Sequence, residues 1–173
     1  MYKLKNSKIV YKGKIIEVKV DKIILPSGKE TIREVVVFPS TVVVLPIFEN
    51  KIIFVEQFRY PINKNLLELP AGKVDSGEKS EYTAKRELLE ETGFEAKKIK
   101  KLAGFYLTPG YSTEFMELYL AYDLKKVSDI EDKDEINKVI FMEIQEVERK
   151  LKEGFFEDGK TILALSFYFY NYK

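Results

Sequence analysis

The first third of the chain carries alternating apolar and polar residues, or short runs of β-branched residues, in patterns typical of β-strands. These patterns predict four strands, at residues 14–24, 31–38, 41–48 and 51–58. Turn-forming residues separate them: Pro26 with Gly28, then Pro39, and then Glu49 with Asn50. Strands that follow one another so closely predict an antiparallel or mixed sheet with hairpins.

The pattern changes at residues 76–92, which are rich in helix formers. Either Ser76 or Ser80 is expected to cap this helix, and Gly93 stands where a glycine commonly ends one. Further strands are predicted at residues 99–107, 115–123 and 139–144, and further helices at residues 145–153 and 161–170. Strands on both sides of a central helix, with helices at the end, predict an α+β sandwich.

The length of 173 residues fits one domain, and no repeat or linker divides the sequence. Hydrophobic residues make up 45% of the chain, which is enough for a real core. The 29 basic and 28 acidic residues nearly cancel, to a net charge of +1. This balance excludes both a basic surface that gathers nucleic acid and the acidic excess of a disordered chain. We therefore expect a single domain over residues 1–173, without a nucleic-acid partner.

The chain has no cysteine and no histidine. Disulfides, thiolate zinc sites, Cys or Ser–His nucleophiles and imidazole bases are therefore excluded. No apolar run approaches the roughly 18 residues of a membrane span, and the basic N-terminal segment lacks the apolar block of a secretory signal. We expect a cytoplasmic protein without a membrane partner, whose chemistry rests on carboxylates, Lys, Arg, Tyr and a hard metal ion.

Three carboxylates are predicted to share one face of the central helix, because Glu87, Glu90 and Glu91 are spaced i, i+3 and i+4. Like charges at this spacing repel one another. Arg86 can pair with Glu90, but one guanidinium cannot neutralise three carboxylates. Hard oxygen ligands point to Mg²⁺, or to Mn²⁺, with a phosphate compound as substrate. The alternative interpretation is an ordinary solvated helix face.

The spacing of glycine, glutamate and arginine over the longer segment 72–94 favours the metal site over the solvated helix face. This segment reads GKVDSGEKSEYTAKRELLEETGF. It resembles the Nudix box, in which a Gly, a Glu and an Arg-Glu pair precede two further Glu and a Gly. The matching residues are Gly72, Glu78, Arg86, Glu87, Leu88, Glu90, Glu91, Gly93 and Phe94. The resemblance implies a Nudix-type α/β/α sandwich with a mixed β-sheet and an N-terminal antiparallel β region. It also implies metal-dependent hydrolysis of a nucleoside diphosphate linked to a further group.

The resemblance assigns roles within the box. The expected metal ligands are the carboxylates of Glu87, Glu91, Glu90 and Glu78 and the carbonyl oxygen of Ala71. Gly72 is expected to allow a tight turn beside the substrate, because it has no side chain. Arg86 is expected to orient the carboxylates, while Glu90 and Glu78 either complete the metal cluster or hold Arg86 in place.

Other segments, among them VEQFRYP, LELPAGKVDSGE and LTPGYSTEFMELYLA, are similar to the ADP-ribose pyrophosphatase branch of the family. Pro109, fifteen residues after Phe94, matches a proline of that branch, although a Pro-Gly turn is also ordinary loop chemistry. Arg59, and less directly Arg33, are expected to bind substrate phosphates; the alternative is a solvated surface arginine. The sequence departs from many relatives at residues 38–41, which read FPST.

The general base cannot be a histidine, and the branch places a carboxylate in a loop beyond the box. The matching loop, residues 128–135, makes Glu135 the first candidate, with Asp134 and Glu131 as reserves. Two alternatives stay open: the loop is only a solvated charge cluster, or Glu90 within the box is the base.

The expected reaction is hydrolysis of ADP-ribose to AMP and ribose 5-phosphate. The alternatives are another sugar nucleotide or dinucleotide, such as a GDP-sugar, NADH or FAD, and a non-catalytic module that binds ADP-ribose. By the same resemblance we expect a homodimer, with residues 1–40 in the dimer contacts and residues 41–173 as the catalytic core.

Overall fold

The computed structural model describes residues 1–130 and 136–172. Within these residues it contains ten strands and three α-helices. The strands are β1 (Lys3–Lys12), β2 (Glu17–Ile24), β3 (Glu30–Val37), β4 (Thr41–Phe48), β5 (Lys51–Arg59), β6 (Lys64–Glu68), β7 (Ala71–Lys73), β8 (Phe94–Tyr106), β9 (Phe115–Lys126) and β10 (Ile136–Glu143). The helices are α1 (Ser80–Thr92), α2 (Ile144–Lys152) and α3 (Gly159–Tyr172). None of the described helices is long and apolar enough to cross a bilayer.

The chain forms two compact units. The first comprises Met1–Ser40 and Phe105–Met116 and holds an antiparallel sheet in the order β1-β2-β3. Strand β1 was not predicted, because every one of its residues is exposed and its sequence shows no sustained alternation. It is held instead by its register on β2, in which Ser7 faces Asp21 and donates a hydrogen bond of 2.6 Å to that carboxylate.

The second unit comprises Thr41–Gly104 and Glu117–Lys173 and contains the large mixed sheet. Its strands run in the order β10-β5-β4-β9-β8, with β6 added to β5 and β7 added to β4. The hairpin between β4 and β5 turns at Glu49 and Asn50, both with positive φ, as their turn chemistry predicts. Six consecutive residues of β4 are buried, which explains an apolar run without alternation.

Helix α1 packs on this sheet through a buried cluster. Ala84 and Leu88 of α1 meet Val42 and Val44 of β4, together with residues of β9. Burial of this apolar stripe fixes which face of α1 points away from the core, and so where its glutamates lie.

The helix begins at Ser80, four residues later than the start predicted at residue 76. Neither predicted serine caps it, since the N-cap is Lys79, which makes no side-chain cap hydrogen bond. Residues 75–78 form a turn instead, in which the Glu78 N–H donates to the Asp75 carbonyl at 2.9 Å. Helix α1 ends as predicted at Gly93, with φ 72° and its N–H donating to the Leu89 carbonyl at 2.7 Å.

Gly93→Ala is expected to lower the free energy of unfolding by about 2–4 kcal/mol. A Cβ there would lie 2.2 Å from the Ser128 carbonyl oxygen and 2.4 Å from the Lys126 Nζ, in addition to the cost of positive φ. Gly154→Ala is the matched control, because Gly154 has the same φ of 72° and no atom within 4 Å of its added Cβ. Urea denaturation of both variants measures the difference. Equal losses would show that the contact with Ser128 carries no cost.

Candidate active site

The predicted metal ligands are held between helix α1 and strand β7. Glu91 is buried, with 5% of its surface exposed, and accepts a hydrogen bond of 3.2 Å from the Ala71 N–H. Gly72 lies against the carboxyl group of Glu87, so closely that a Cβ on Gly72 would come within 2.0 Å of the Glu87 Cδ. The backbone of β7 and two carboxylates of α1 therefore form one compact group.

Arg86 links the remaining carboxylates. Its Nη1 pairs with Glu90 at 2.9 Å and with Glu87 at 2.8 Å. Its Nε and Nη2 each donate to the Glu78 carboxylate at 3.3 Å, and Glu78 also accepts a hydrogen bond of 2.6 Å from the Thr83 hydroxyl. Arg86 is thereby fixed by three glutamates from two sides, a geometry that supports the orienting role expected of it.

Burial perturbs the two innermost carboxylates. Burial, and next the negative charge of Glu87, raise the pKa of Glu91 from 4.5 to about 8. Burial also raises the pKa of Glu87, and the pairing with Arg86 offsets only part of this effect. Both groups are therefore costly to ionise within the protein alone.

A hard divalent cation fits this donor set. No three acidic groups within residues 1–130 and 136–172 form a ready metal centre, because Arg86 lies among Glu78, Glu87 and Glu90. A buried carboxylate, Glu91, and a half-buried one, Glu87, nevertheless repel each other next to Gly72, whose missing side chain leaves room for close approach. Oxygen donors without sulfur or imidazole are the set that Mg²⁺ and Mn²⁺ prefer. The role of the Ala71 carbonyl as a ligand remains a prediction.

Gly72→Ala is expected to lower kcat at least about 10²-fold, the scale of losing one well-placed group that stabilises charge in the transition state. The added methyl must displace the Glu87 carboxyl group, which lies 2.0–2.4 Å from it. Stability is expected to change little, since a carboxylate can swing away whereas a backbone atom cannot. Steady-state kinetics and thermal denaturation measure the two effects. Normal turnover by this variant would contradict the importance of the close approach.

Arg59, predicted to bind phosphate, stands at the end of β5 and forms two hydrogen bonds with Glu68, at 2.6 and 2.5 Å. Lys160 of α3 binds the same carboxylate. Sequence reasoning did not single out Glu68 or Lys160 as functional. The sequence gives one indication of a role for Glu68, because it is a charged residue within the apolar run LLELP. The residues around Lys160 give no such indication.

The remaining predicted site residues are Arg33, Pro109 and the three candidate bases. Arg33 and Pro109 belong to the first unit, where Arg33 is exposed on β3 and its Nη1 donates to the Ile32 carbonyl at 2.9 Å. Pro109 is exposed in the turn before Ser112. The three candidate bases, Glu131, Asp134 and Glu135, are outside the described residues.

Comparison with known proteins places this geometry in a family. A model described as NUDIX domain matches residues 37–165, and one described as nucleoside diphosphate sugar hydrolase N-terminal domain matches residues 2–36. The chain is 45% identical to an ADP-ribose pyrophosphatase of Bacillus subtilis (strain 168) over 139 residues, which are 80% of this chain and 74% of the relative.

Two further relatives carry other names. One, a methanol dehydrogenase activator of Bacillus methanolicus, is 38% identical over 161 residues, 91% of this chain and 87% of the relative. Another, a GDP-mannose pyrophosphatase of Yersinia pestis (strain Pestoides F), is 32% identical over 128 residues, 69% of this chain and 64% of the relative.

The fold itself matches a solved structure described as an ADP compounds hydrolase, with a TM-score of 0.86 and 22% identity. The match covers 96% of this chain and 91% of that chain. It confirms the predicted fold class, a sandwich with a mixed sheet and a separate antiparallel N-terminal sheet. With the NUDIX domain model matched over residues 37–165, the chain belongs to the Nudix hydrolase family.

Proposed function

We propose that this protein hydrolyses the diphosphate of ADP-ribose to AMP and ribose 5-phosphate with Mg²⁺, for which Mn²⁺ can substitute. The observation that carries the proposal is the complete cluster of four glutamates and Arg86 between α1 and β7. The 45% identity with an ADP-ribose pyrophosphatase supports the choice of substrate.

In this proposal, Glu87, Glu91 and the Ala71 carbonyl hold the cations, with Glu90 and Glu78 completing the cluster. When bound there, divalent cations would neutralise negative charge on the diphosphate and would lower the pKa of the attacking water. Arg59 binds a phosphate oxygen, while the base takes a proton from the water. The water oxygen forms a bond to one phosphorus, the bond from that phosphorus to the bridging oxygen breaks, and the two phosphate monoesters AMP and ribose 5-phosphate are released.

We assign the base to Glu135, within residues 128–135 of the sequence, with Asp134 and Glu131 as reserves. The absence of histidine leaves carboxylates as the natural bases near neutral pH. Burial raises the pKa of Glu91 to about 8, but Glu91 is assigned to the metal and not to proton transfer.

We also propose that the protein is a cytoplasmic homodimer of single-domain chains, with the N-terminal strands reaching the partner's site. Exposed apolar side chains on β1 and β3, among them Leu4, Ile9 and Ile32, support this assembly. Arg33 and Pro109 of the same unit then contact substrate. Sedimentation at micromolar concentration tests the assembly, and a strictly monomeric mass with full activity would exclude it.

The relatives named for GDP-mannose define the second candidate, a different nucleoside diphosphate sugar. A panel of ADP-ribose, GDP-mannose, NADH and FAD with Mg²⁺ decides between the substrates. Binding of ADP-ribose without turnover would favour the non-catalytic module.

The test of the proposed function is product analysis of ADP-ribose in H₂¹⁸O with Mg²⁺. We expect AMP and ribose 5-phosphate, with ¹⁸O in only one of them, which identifies the attacked phosphorus. Excess EDTA is expected to abolish turnover, because the glutamates alone supply no positive charge to the diphosphate. Full activity in EDTA would refute the assignment of the metal.

A further inference from the structure

We infer that Glu68 and Lys160 are positioning residues, which hold the Arg59 guanidinium in the orientation that binds substrate phosphate. This inference rests on the proposed function, and it adds to it two residues outside the Nudix box. The supporting observations are the bidentate contact of Arg59, the burial of its partner and the links from that partner to helix α3.

Glu68 binds Arg59 along one side of the guanidinium. The Arg59 Nε donates to Oε1 of Glu68 at 2.6 Å, and the Nη2 donates to Oε2 at 2.5 Å. Two of the five N–H groups of Arg59 are thereby used. The end of the guanidinium formed by Nη1 and Nη2 keeps three N–H groups, which is the fork that pairs with phosphate oxygens.

The two partners differ sharply in exposure. The Glu68 side chain is 1% exposed, whereas 37% of the Arg59 side chain is exposed. Because the Glu68 carboxylate is held in place, its two hydrogen bonds restrict the rotamers of the Arg59 side chain. The outer edge of the Arg59 guanidinium stays accessible to solvent. A merely solvated surface arginine does not have this arrangement.

Lys160 supplies the second cation that Glu68 needs. Its Nζ pairs with Oε2 of Glu68 and lies 3.0 Å from the Asp158 carboxylate, with only 9% of the side chain exposed. A buried carboxylate is costly unless it is paired and hydrogen-bonded. Because Lys160 shares this role and balances Asp158, Arg59 does not have to be buried to stabilise Glu68.

The backbone beside Glu68 is fixed as well. The Leu69 N–H donates to the Thr161 hydroxyl at 2.8 Å, and that hydroxyl donates to Asp158 at 2.6 Å. Asp158 also accepts the Thr161 N–H at 3.0 Å and so holds the start of α3. Side chain and backbone therefore hold Glu68 in one place relative to α3.

This group of residues adjoins the glutamate cluster. Three residues after Glu68 comes Ala71, whose N–H binds Glu91. The positive charges of Lys160 and Arg59 interact electrostatically with the negative charge of Glu91. Arg59 therefore stands beside the predicted metal site, where a diphosphate is expected to lie.

The test is a double-mutant cycle with Arg59→Ala, Glu68→Gln and the combined variant, measured as kcat/KM for ADP-ribose with Mg²⁺. We expect Glu68→Gln to raise KM at least about 10-fold with a smaller change in kcat, as for weaker binding of a phosphate group. The combined variant is expected to be no worse than Arg59→Ala, because Glu68 acts only through Arg59. Lys160→Met is expected to shift KM in the same direction by a smaller factor.

Glu153→Gln is the matched control, since Glu153 also pairs with an arginine, Arg149 at 2.7 Å, on the surface of α2. It is expected to leave KM unchanged. A KM of Glu68→Gln equal to that of the wild type, or losses that multiply in the combined variant, would overturn the inference and leave a purely structural role. Should Glu68→Gln fail to fold, Lys160→Met combined with Arg59→Ala completes the same cycle.

Failure of the proposed function has a different signature. If the wild type cleaves another nucleoside diphosphate instead of ADP-ribose, the cycle is measured with that substrate and the inference is still tested. If nothing is cleaved, the cycle is measured as the Kd of ADP-ribose in EDTA. A wild type that neither cleaves nor binds these compounds overturns both proposals.

Discussion

Glu91→Gln is expected to lower kcat with ADP-ribose by about 10²–10³-fold, the range observed when one group that stabilises transition-state charge is removed. The amide keeps the shape and can still accept the hydrogen bond from the Ala71 N–H, so the fold should be preserved. Because the amide lacks the negative charge of the carboxylate, the variant binds cations more weakly. Part of the activity should therefore return at high Mg²⁺. Kinetics over a range of Mg²⁺ concentrations measure both effects.

The same substitution is expected to stabilise the protein in EDTA by about 1–4 kcal/mol, because a buried carboxylate is replaced by a neutral group. Burial raises the pKa of Glu91 to about 8, so the folded wild type binds a proton more tightly than the unfolded chain. Wild-type stability then falls as pH rises from about 4.5 to about 8, and the gain in the variant grows over this interval.

Urea denaturation in EDTA at pH 5 and at pH 8.5 measures this gain. Glu90→Gln is the control, because the Glu90 side chain is 36% exposed and paired with Arg86, so no gain is expected. A gain of the same size at both pH values would contradict ionisation of Glu91 as its cause.

Glu135→Gln is expected to lower kcat by about 10²–10⁴-fold, the usual contribution of a general base. Affinity for Mg²⁺ should stay nearly unchanged, because Glu135 is not among the predicted ligands. High Mg²⁺ should therefore fail to restore activity, in contrast to Glu91→Gln. Kinetics together with a titration of Mg²⁺ separate the two kinds of defect.

Asp134→Asn and Glu131→Gln are the companion variants. If one of them loses activity while Glu135→Gln does not, the general base lies in the predicted segment but is not Glu135. If all three remain active, the base lies outside this loop, and Glu90 becomes the first candidate.

Strands buried on both faces, or bounded by clear turn residues, could be predicted from the sequence. Strand β4 and its hairpin with β5 are examples, because a fully apolar run and the Glu49–Asn50 turn leave few alternatives. Strand β1 could not be predicted, since exposure on every residue removes the periodic signal. The short strands β6 and β7 were also missed, because a five-residue and a three-residue strand depend on pairing with β5 and β4 rather than on local pattern.

In the site, too, residues close in sequence could be predicted, whereas residues brought together only by the fold could not. The glutamates of α1 follow from helical spacing, and their proximity to Gly72 was expected from the resemblance to the Nudix box. Glu68 and Lys160 are separated by 92 residues, and only the packing of α3 brings them together. No spacing rule predicts that two residues so far apart in sequence form a pair. The contacts of Glu68 with Arg59 and Lys160 could therefore be identified only from the structure.

The pairing of Arg86 with three glutamates has a consequence for how the protein matures. In small zinc proteins the metal supplies the free energy of folding, and the metal-free chain is unfolded. Here an internal counter-ion already balances much of the acidic cluster. We therefore expect the chain to fold before it binds a cation, and its tertiary structure to persist in excess EDTA.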